Sequence, residues 1–300
     1  MLNQAATGLL DYLTTVLRLT TVAREPIRVW SRSGVERLRL QDGTTLIYKY
    51  AAEPFTGEAA TLRHLAAHRI PVPDVQASIV AGGMLGMILD DLGTATRVPT
   101  EQDAAVAAAR LHSAPLPSHL RTLDEEALRA LPQRALDHLR LLGEEQLLPD
   151  TTDLLPLFTA LRTAAIPRAN GATTPPFAVC HSELHPTSLH LTTERWHLLD
   201  VANAYIGPGI LDLATWYGTR HPPQPAQLRH LLHRYIHAGG HPHALKPRAD
   251  LPAETWALAW HRIWAAETLL HQATLADGPI DPHTLAATRR QATTAMRLLT

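Results

Sequence analysis

The chain has 300 residues, of which 45% are hydrophobic and 18% are charged, and its formal net charge at pH 7 is −1. This composition is typical of a folded globular chain with room for one large domain or two lobes, and it excludes extensive disorder. A nearly neutral chain has no global field that attracts nucleic acid or an anionic membrane, so neither is expected as a partner. The one cysteine, Cys180, excludes an internal disulfide and predicts a reducing, cytoplasmic location.

The N-terminal stretch MLNQAATGLLDYLTTVLRLTT predicts an amphipathic helix. It lacks the basic start of a secretion signal, and Asp11 interrupts its apolar run. No stretch of the sequence is long and apolar enough to span a bilayer.

Strand signals dominate up to about residue 92. VERLRL and TTLIYKY alternate on either side of the turn signal QDG and predict a β-hairpin. IRVWSRSG and QASIVAGGMLGMILDDLG predict further strands, and GEAATLRHLAAHR predicts a helix between them. This part of the chain, residues 1–92, is expected to form a small lobe built on a sheet.

Residues 93–300 are mostly helical in pattern, and are expected to form a second, larger lobe. Apolar residues recur at three- and four-residue spacing in DAAVAAARLHSA, DEEALRALPQRALDHLRLLGEE and AETWALAWHRIWAAETLLHQATLADG. VCHSELHPTSLHL and RWHLLDVANA are short strand-like interruptions, and the proline-rich stretches HPPQP and GGHPHALKPRADLP predict surface loops. The fold class predicted is therefore α+β.

Lys49 and Lys246 are the only lysines among the 27 lysine and arginine residues. A lysine kept in such an arginine-rich chain suggests a need for a compact ammonium group, which a guanidinium cannot replace. Lys49 lies in the predicted strand TTLIYKY. The alternative is a lysine at a strand end that reaches water without a functional role.

The stretch HSELHPTS admits three interpretations: a zinc site, a catalytic loop, or a loop without chemistry. Zinc would use His181, Glu183 and His185, but Pro186 disfavours the helix on which two histidines four residues apart would share a face. The protease motif on such a helix also needs a glutamate directly after the first histidine, where this chain has Ser182.

Asp200 follows Glu183 at the end of a second apolar run. A hairpin whose strands pass through residues 189–191 and 198–199, with the turn TTER, would bring Glu183, Ser188 and Asp200 to one end. Such oxygen ligands suit magnesium, which proteins hold with one or two carboxylates and the phosphates of a substrate. The remaining carboxylate can accept a proton.

With HSELHPTS followed by LLDVANAYIGPGILDLA, the chain resembles the aminoglycoside phosphotransferase family, relatives of the protein kinases. The helix residue Glu58 and the phrases HLAAHRIPVPDV, MILDDLG and ARLHSAPLP match in the same order, so that the resemblance covers most of the chain. It implies a two-lobed protein-kinase-like fold, with a small antiparallel-sheet N-lobe and a larger, mainly helical C-lobe.

The resemblance also implies roles for individual residues. Lys49, held by Glu58, would bind the α and β phosphates of ATP or GTP. Asp200 and Ser188 would hold Mg²⁺, and Glu183 would be the base that orients the acceptor hydroxyl. The four positions 49, 183, 188 and 200 are thus expected to meet around one divalent ion between the lobes.

Further nucleotide contacts are implied at two other places. The junction formed by Leu89, Asp90, Asp91 and Leu92 would offer backbone groups to the base. A short turn at Ser31 to Gly34, including Ser33 and Gly34, would cover the phosphates. His181 and Asp212 are expected to brace the catalytic loop.

The loop departs from the family pattern at three positions: Ser182 replaces glycine, Glu183 replaces aspartate, and Ser188 replaces asparagine. Glutamate is one methylene longer than aspartate, and small misplacements are costly in catalysis. Three hypotheses remain. The first is an active phosphotransferase that uses an alcohol acceptor, and the second is a catalytically impaired nucleotide-binding pseudokinase acting as a partner subunit in a natural-product biosynthetic complex. The third is a metal-dependent hydrolase.

The acceptor is the least determined feature. Trp256, Trp260 and Trp264 recur every four residues and predict either core or a cleft lining, with Glu267 and His271 at its rim. The sequence of the helical lobe shows no concentrated acidic cluster near its end, so a polycationic acceptor is not expected. Family members phosphorylate antibiotic or natural-product hydroxyls and, in some pathways, a peptide Ser or Thr, for which a partner lyase would be expected.

Overall fold

A computed structural model of the chain describes residues 2–30, 32–148, 153–276 and 278–300. The chain divides into two compact units, each assembled from separate stretches of sequence. The first comprises Met1–Thr100, Ala114–Leu120 and Pro186–Ala204, and the second comprises Glu101–Ser113, Arg121–His185 and Tyr205–Thr300. The stretch that carries Ser188 and Asp200 thus belongs to the same unit as the strand that carries Lys49. The lobe boundary expected at residue 92 stays a prediction.

Among the residues that the structure describes, the first unit contains antiparallel strands and two α-helices. Its elements are α1 (Leu2–Leu17), β1 (Thr21–Val29), β2 (Ser33–Leu40), β3 (Thr45–Ala52), α2 (Glu58–Ala67), β4 (Val75–Ala81), β5 (Met84–Asp90), β7 (Leu189–Leu191) and β8 (Trp196–Leu198). In the described part of the chain, five strands form one sheet in the order β1-β2-β3-β5-β4. The hairpin predicted around QDG is confirmed, with Val35 opposite Lys49.

Helix α1 packs on one face of this sheet. Side chains alternate along a strand, so Tyr48 and Tyr50 point to one face and Lys49 to the other. The tyrosines pack with α1 residues such as Leu9 and Leu13, and the Tyr48 hydroxyl donates a hydrogen bond to the carbonyl oxygen of Ala6 at 2.6 Å. The apolar face is thereby covered, and Lys49 is left on the face that α1 does not occupy.

The second unit is mainly helical, and the two units together bear out the predicted α+β class. Its elements are α3 (Glu101–Leu111), α4 (Glu125–Glu144), α5 (Leu154–Arg168), β6 (Phe177–Cys180), β9 (Tyr205–Pro208), α6 (Gly209–Ala214), α7 (Pro225–His237), α8 (Ala253–Thr274) and α9 (Pro282–Leu299). Strands β6 and β9 pair antiparallel. None of the described helices has the length and apolar character that crossing a membrane requires.

Helix α8 passes through the core of this unit. Trp256 and Trp260 are fully buried, and both indole N–H groups donate to the carbonyl oxygen of Arg168, at 2.6 and 3.1 Å. Two members of the tryptophan stripe are therefore core residues. The third, Trp264, is only partly buried.

The prediction that HPPQP and GGHPHALKPRADLP form surface loops is wrong in part for each stretch. Pro225, in HPPQP, is the first residue of α7, a position where proline costs no intrahelical hydrogen bond. In GGHPHALKPRADLP, the side chain of Arg248 is buried, because its guanidinium donates to the carbonyl oxygens of Gly171 at 3.0 Å and Pro175 at 3.3 Å. The same group lies 5.0 Å from the ring centroid of Trp256, in cation–π contact.

Candidate nucleotide and phosphotransfer site

The ammonium group of Lys49 joins two carboxylates in the first unit. Its Nζ lies 2.7 Å from Glu58 Oε1 on α2 and 2.7 Å from Asp200 Oδ1, in the segment after β8. Burial by itself lowers the pKa of Lys49, but the charges of Glu58 and Asp200 outweigh it, so the pKa is raised above its ordinary value. Lys49 is therefore a cation held in place by two carboxylates. The alternative interpretation, in which Lys49 only reaches water at a strand end, is wrong because the side chain is buried.

The two acids differ in exposure, which separates their roles. Glu58 is 1% exposed and begins α2, where the helix dipole favours a negative charge. The Asp200 side chain is 47% exposed, so its carboxylate is accessible to a ligand from solvent. Glu58 is thus placed to hold the lysine, whereas Asp200 can contact the lysine and a dissolved ion together.

The predicted hairpin after the HSELHPTS stretch is confirmed. β7 and β8 pair antiparallel, with Leu189 opposite Leu198. Ser188 ends a short 3₁₀ turn directly before β7, and its carbonyl oxygen accepts a hydrogen bond from the backbone N–H of Leu199 at 2.9 Å. Leu199 precedes Asp200, so the structure brings Ser188 and Asp200 to the same end of the hairpin.

The two acidic side chains at the end of β5, Asp90 and Asp91, accept hydrogen bonds from neighbouring residues. The Asp91 carboxylate accepts the Arg37 guanidinium at 2.6 Å and the Gly93 N–H at 3.0 Å, and Asp90 accepts the side-chain amide of Gln76 at 2.6 Å. Leu89 is buried in the sheet and Leu92 is partly exposed. A nucleotide base at this segment would therefore meet backbone groups rather than carboxylates.

Ser33 and Gly34, predicted as part of a phosphate-covering turn, lie where the connection from β1 enters β2, and the backbone N–H of Trp30 donates to the carbonyl oxygen of Ser33 at 2.8 Å. Both residues belong to β2, opposite Ala51 and Tyr50, and Ser31 lies outside the described residues. A Cβ atom at Gly34 would come within 2.4 Å of the Tyr50 ring, so glycine is required there by packing. Ser33 and Gly34 thus begin a strand at the end of the connection between β1 and β2, and their contact with phosphates stays a prediction.

The loop that follows β6 belongs to the second unit, and hydrogen bonds to α6 hold its backbone. Asp212 accepts the backbone N–H groups of His181 and Ser182 with its two carboxylate oxygens, each at 2.8 Å. Ser182 has a φ of +79°, a value that L-residues rarely adopt and that these contacts stabilise. Glu183 follows with its side chain exposed. The result is a constrained backbone that presents one carboxylate to solvent.

A zinc site is not assembled at this loop. Within the described ranges, the three side chains whose ligand atoms lie within 4.8 Å of one another are His112, Cys180 and Asp212, and not the set predicted around Glu183. Burial raises the pKa of the Cys180 thiol well above its ordinary value, and the Asp212 oxygens already accept backbone amides. This buried group therefore has the character of a structural brace.

The predicted acceptor rim has partners within the second unit. Glu267 binds Arg134 at 2.9 Å and lies 3.6 Å from His138, whose ring contacts His271 at a centroid distance of 5.0 Å. The Arg134 guanidinium neutralises Glu267, so Glu267 is less suited to bind a cationic acceptor.

Sequence reasoning missed two residues next to these sites. Arg37 holds Asp91, and His112 contacts Asp212. Arg37 lies in the alternating stretch VERLRL and His112 lies in ARLHSAPLP. Neither stretch of sequence indicates which distant carboxylate the side chain contacts.

The family comparison matches most of the chain. The APH family, described as the phosphotransferase enzyme family, matches residues 28–248. No curated protein matches the sequence.

Solved structures share the fold at low identity. A choline/ethanolamine kinase family protein from Mesorhizobium loti is 18% identical, with a TM-score of 0.65 over 99% of this chain and 94% of that one. A type I macrolide 2′-phosphotransferase is 18% identical, with a TM-score of 0.63 over 96% and 97%. An amicoumacin kinase in complex with AMP-PNP, Ca²⁺ and Ami is 12% identical, with a TM-score of 0.61 over 98% and 95%.

Proposed function

Because the chain belongs to the APH phosphotransferase enzyme family, we propose that it transfers the γ-phosphate of ATP to a hydroxyl group of a small antibiotic or natural-product molecule. The observation that carries this proposal is the ion cluster of Lys49, Glu58 and Asp200, which links a sheet, a helix and a distant loop. Phosphoryl transfer depends mainly on positioning and on charge neutralisation, which such a cluster provides.

Each residue has a distinct task in this proposal. Lys49 binds the α and β phosphates while Glu58 keeps the ammonium group in place. Glu183 accepts the proton of the acceptor hydroxyl as that oxygen bonds to the γ-phosphorus. The bond from phosphorus to the β,γ-bridging oxygen breaks, and ADP leaves with the electron pair.

The donor set near Asp200 fits magnesium. Asp200 offers an accessible carboxylate, Ser188 lies at the same end of the hairpin, and oxygen is the ligand that Mg²⁺ prefers. When bound, Mg²⁺ would neutralise the charge of the phosphates. The joint placement of Glu183 with this set stays a prediction, because Glu183 belongs to the second unit.

The acceptor class rests on charge and on shared fold. The chain is nearly neutral, and Glu267 is already paired with Arg134, which argues against a polyamine such as an aminoglycoside. Relatives in fold include kinases of macrolides and of amicoumacin. A neutral or weakly charged antibiotic-type hydroxyl is therefore the acceptor that we propose; no observation favours a peptide acceptor with a partner lyase.

The test begins with nucleotide binding. Thermal unfolding is followed with ATP or GTP, each with and without Mg²⁺, and acceptors are then screened by mass for an added phosphoryl group. Stabilisation that requires both nucleotide and Mg²⁺, together with a phosphorylated product, supports the proposal. Nucleotide binding without ADP release on any acceptor would instead support the pseudokinase, and no binding at all would refute both.

A further inference from the structure

His112 makes a buried contact with the acid that holds the catalytic loop. It follows the last residue of α3, and its Nε2 lies 3.3 Å from Asp212 Oδ2 on α6. Its Nδ1 lies 3.2 Å from the Tyr235 hydroxyl on α7. The side chains of His112 and Asp212 are 1% and 0% exposed, so water does not compete for this contact.

Hydrogen-bond chemistry gives this contact a direction. A carboxylate only accepts, so Nε2 of His112 must carry the hydrogen that it donates to Asp212. In the tautomer that carries its hydrogen on Nε2, Nδ1 is an acceptor, and the Tyr235 hydroxyl is the donor that satisfies it. Burial raises the pKa of Tyr235 to about 12, so this hydroxyl keeps its proton. The three side chains therefore form one ordered relay from Tyr235 to Asp212.

The backbone is shaped to admit this ring. A Cβ atom at Gly209, the first residue of α6, would lie 2.7 Å from Cε1 and Nδ1 of His112. The glycine thus lets α6 approach the imidazole closely enough for Asp212 to reach it.

Asp212 transmits the contact to the loop that carries Glu183. The oxygen that faces His112 also accepts the His181 N–H, and the other accepts the Ser182 N–H. Thr215 adds a hydrogen bond from its hydroxyl to the carbonyl oxygen of Leu184 at 3.0 Å. A rotation of the Asp212 carboxylate would loosen the backbone on the N-terminal side of Glu183.

We propose that His112 is a positioning residue: it fixes the orientation of the Asp212 carboxylate, with Tyr235 fixing the tautomer of His112, and thereby holds the backbone that presents Glu183. The role of Glu183 as base rests on the proposed function. The mechanical coupling from His112 to residues 181–182 does not, so it can be measured without any phosphotransfer assay.

Two matched substitutions separate the two nitrogens of the ring. The amide nitrogen of glutamine lies as many bonds from Cβ as Nε2 does, so His112→Gln can still donate to Asp212. The amide of asparagine matches Nδ1 instead, so His112→Asn keeps a partner for Tyr235 and loses the contact with Asp212. Tyr235→Phe removes only the hydroxyl.

Hydrogen exchange of a peptide that covers residues 181–184, followed by mass spectrometry without nucleotide, is the first measurement. Loss of a hydrogen bond to a buried charged group should raise exchange by roughly tenfold or more in His112→Asn. His112→Gln should stay close to wild type, and Tyr235→Phe should fall between them. Equal exchange in wild type, Tyr235→Phe and whichever His112 variants fold would overturn the proposal.

Kinetics then separate positioning from general stability. We expect His112→Asn to lower kcat by roughly a hundredfold with little change in the nucleotide KM, because misplaced catalytic groups are costly. His112→Gln should restore most of kcat. If Gln and Asn reduce kcat equally, the role is merely structural and the proposal fails. If the wild type transfers no phosphate, the proposed function fails, while the exchange measurement still decides the coupling.

Discussion

Lys49 Nζ lies 2.7 Å from Glu58 Oε1, and this ion pair connects the middle of the sheet to the first residue of α2. Both side chains are almost completely buried. A buried carboxylate without its cation is costly, so this pair links the architecture of the first unit to its proposed nucleotide chemistry.

Lys49→Met should destabilise the protein by about 3–5 kcal/mol, because it leaves Glu58 buried without its cation. The double variant Lys49→Met/Glu58→Gln should lose less than the sum of the two single variants. Denaturant unfolding measures these differences. The only other lysine supplies the control: Lys246→Met, at an exposed position, should change little. Additive losses in the double variant would show that the pair is not coupled.

Asp200→Asn should abolish the effect of Mg²⁺ on nucleotide binding, because an amide is a much weaker ligand than a carboxylate for a hard cation. Thermal shifts with ATP, recorded with and without Mg²⁺, measure the effect. Asp250→Asn, at a fully exposed side chain, is the control. Turnover that survives in Asp200→Asn would show that the metal assignment is wrong.

Ser188→Ala should weaken Mg²⁺-dependent nucleotide binding by roughly tenfold, whereas Ser188→Asn should be tolerated because an amide oxygen can replace the hydroxyl as a ligand. The two variants share their position next to β7, so titration of Mg²⁺ at fixed ATP compares them directly. Unchanged Mg²⁺ affinity in Ser188→Ala would remove Ser188 from the proposed metal site.

Glu183→Gln should lower kcat by about 10²–10⁴-fold and leave nucleotide binding intact, because it removes only the proton acceptor. Glu183→Asp restores the carboxylate on a shorter side chain and should keep more activity than the glutamine variant. The measurement is the single-turnover rate at which each variant forms the phosphorylated acceptor. Glu194→Gln, in the exposed turn before β8, serves as the control. Equal rates in wild type and Glu183→Gln would mean that another group takes the proton.

The stability of the protein should fall as the pH falls from 7 to 5, and His261 should be one cause. Its Nδ1 is buried with no hydrogen-bond partner among the described residues, and burial lowers its pKa to about 3. The unfolded chain, with a histidine pKa of about 6.5, binds the proton first, so the stability present above pH 6.5 is lost by up to about 2 kcal/mol at pH 5.

His261→Gln should flatten this pH dependence, because glutamine does not titrate. Urea unfolding of both proteins at several pH values between 5 and 8 measures the slope. His233→Gln, on the exposed face of α7, should leave the slope unchanged. A parallel loss of stability in wild type and His261→Gln would assign the acid sensitivity to other groups.

Much of the local structure could be read from the sequence. The alternation around QDG, the apolar spacing of the helices and the phrase HSELHPTS are contained in short windows, where side-chain periodicity reflects the backbone directly. The order of motifs also indicated the family, and with it the pairing of Lys49 with Glu58. The helices α5, α7 and α9 were not predicted; prolines such as Pro167 and Pro225 lie in or at the start of the first two.

Only the tertiary structure decided which side chains meet across long separations. The pairing of Arg37 with Asp91, the burial of Arg248 against carbonyl oxygens, and the approach of His112 to Asp212 join residues far apart in the chain. Periodicity carries no information about such partners, because it reports the face of one element and not what packs against it. The sequence by itself therefore determined many of the elements and the family, whereas packing decided which charges are paired, buried or left for chemistry.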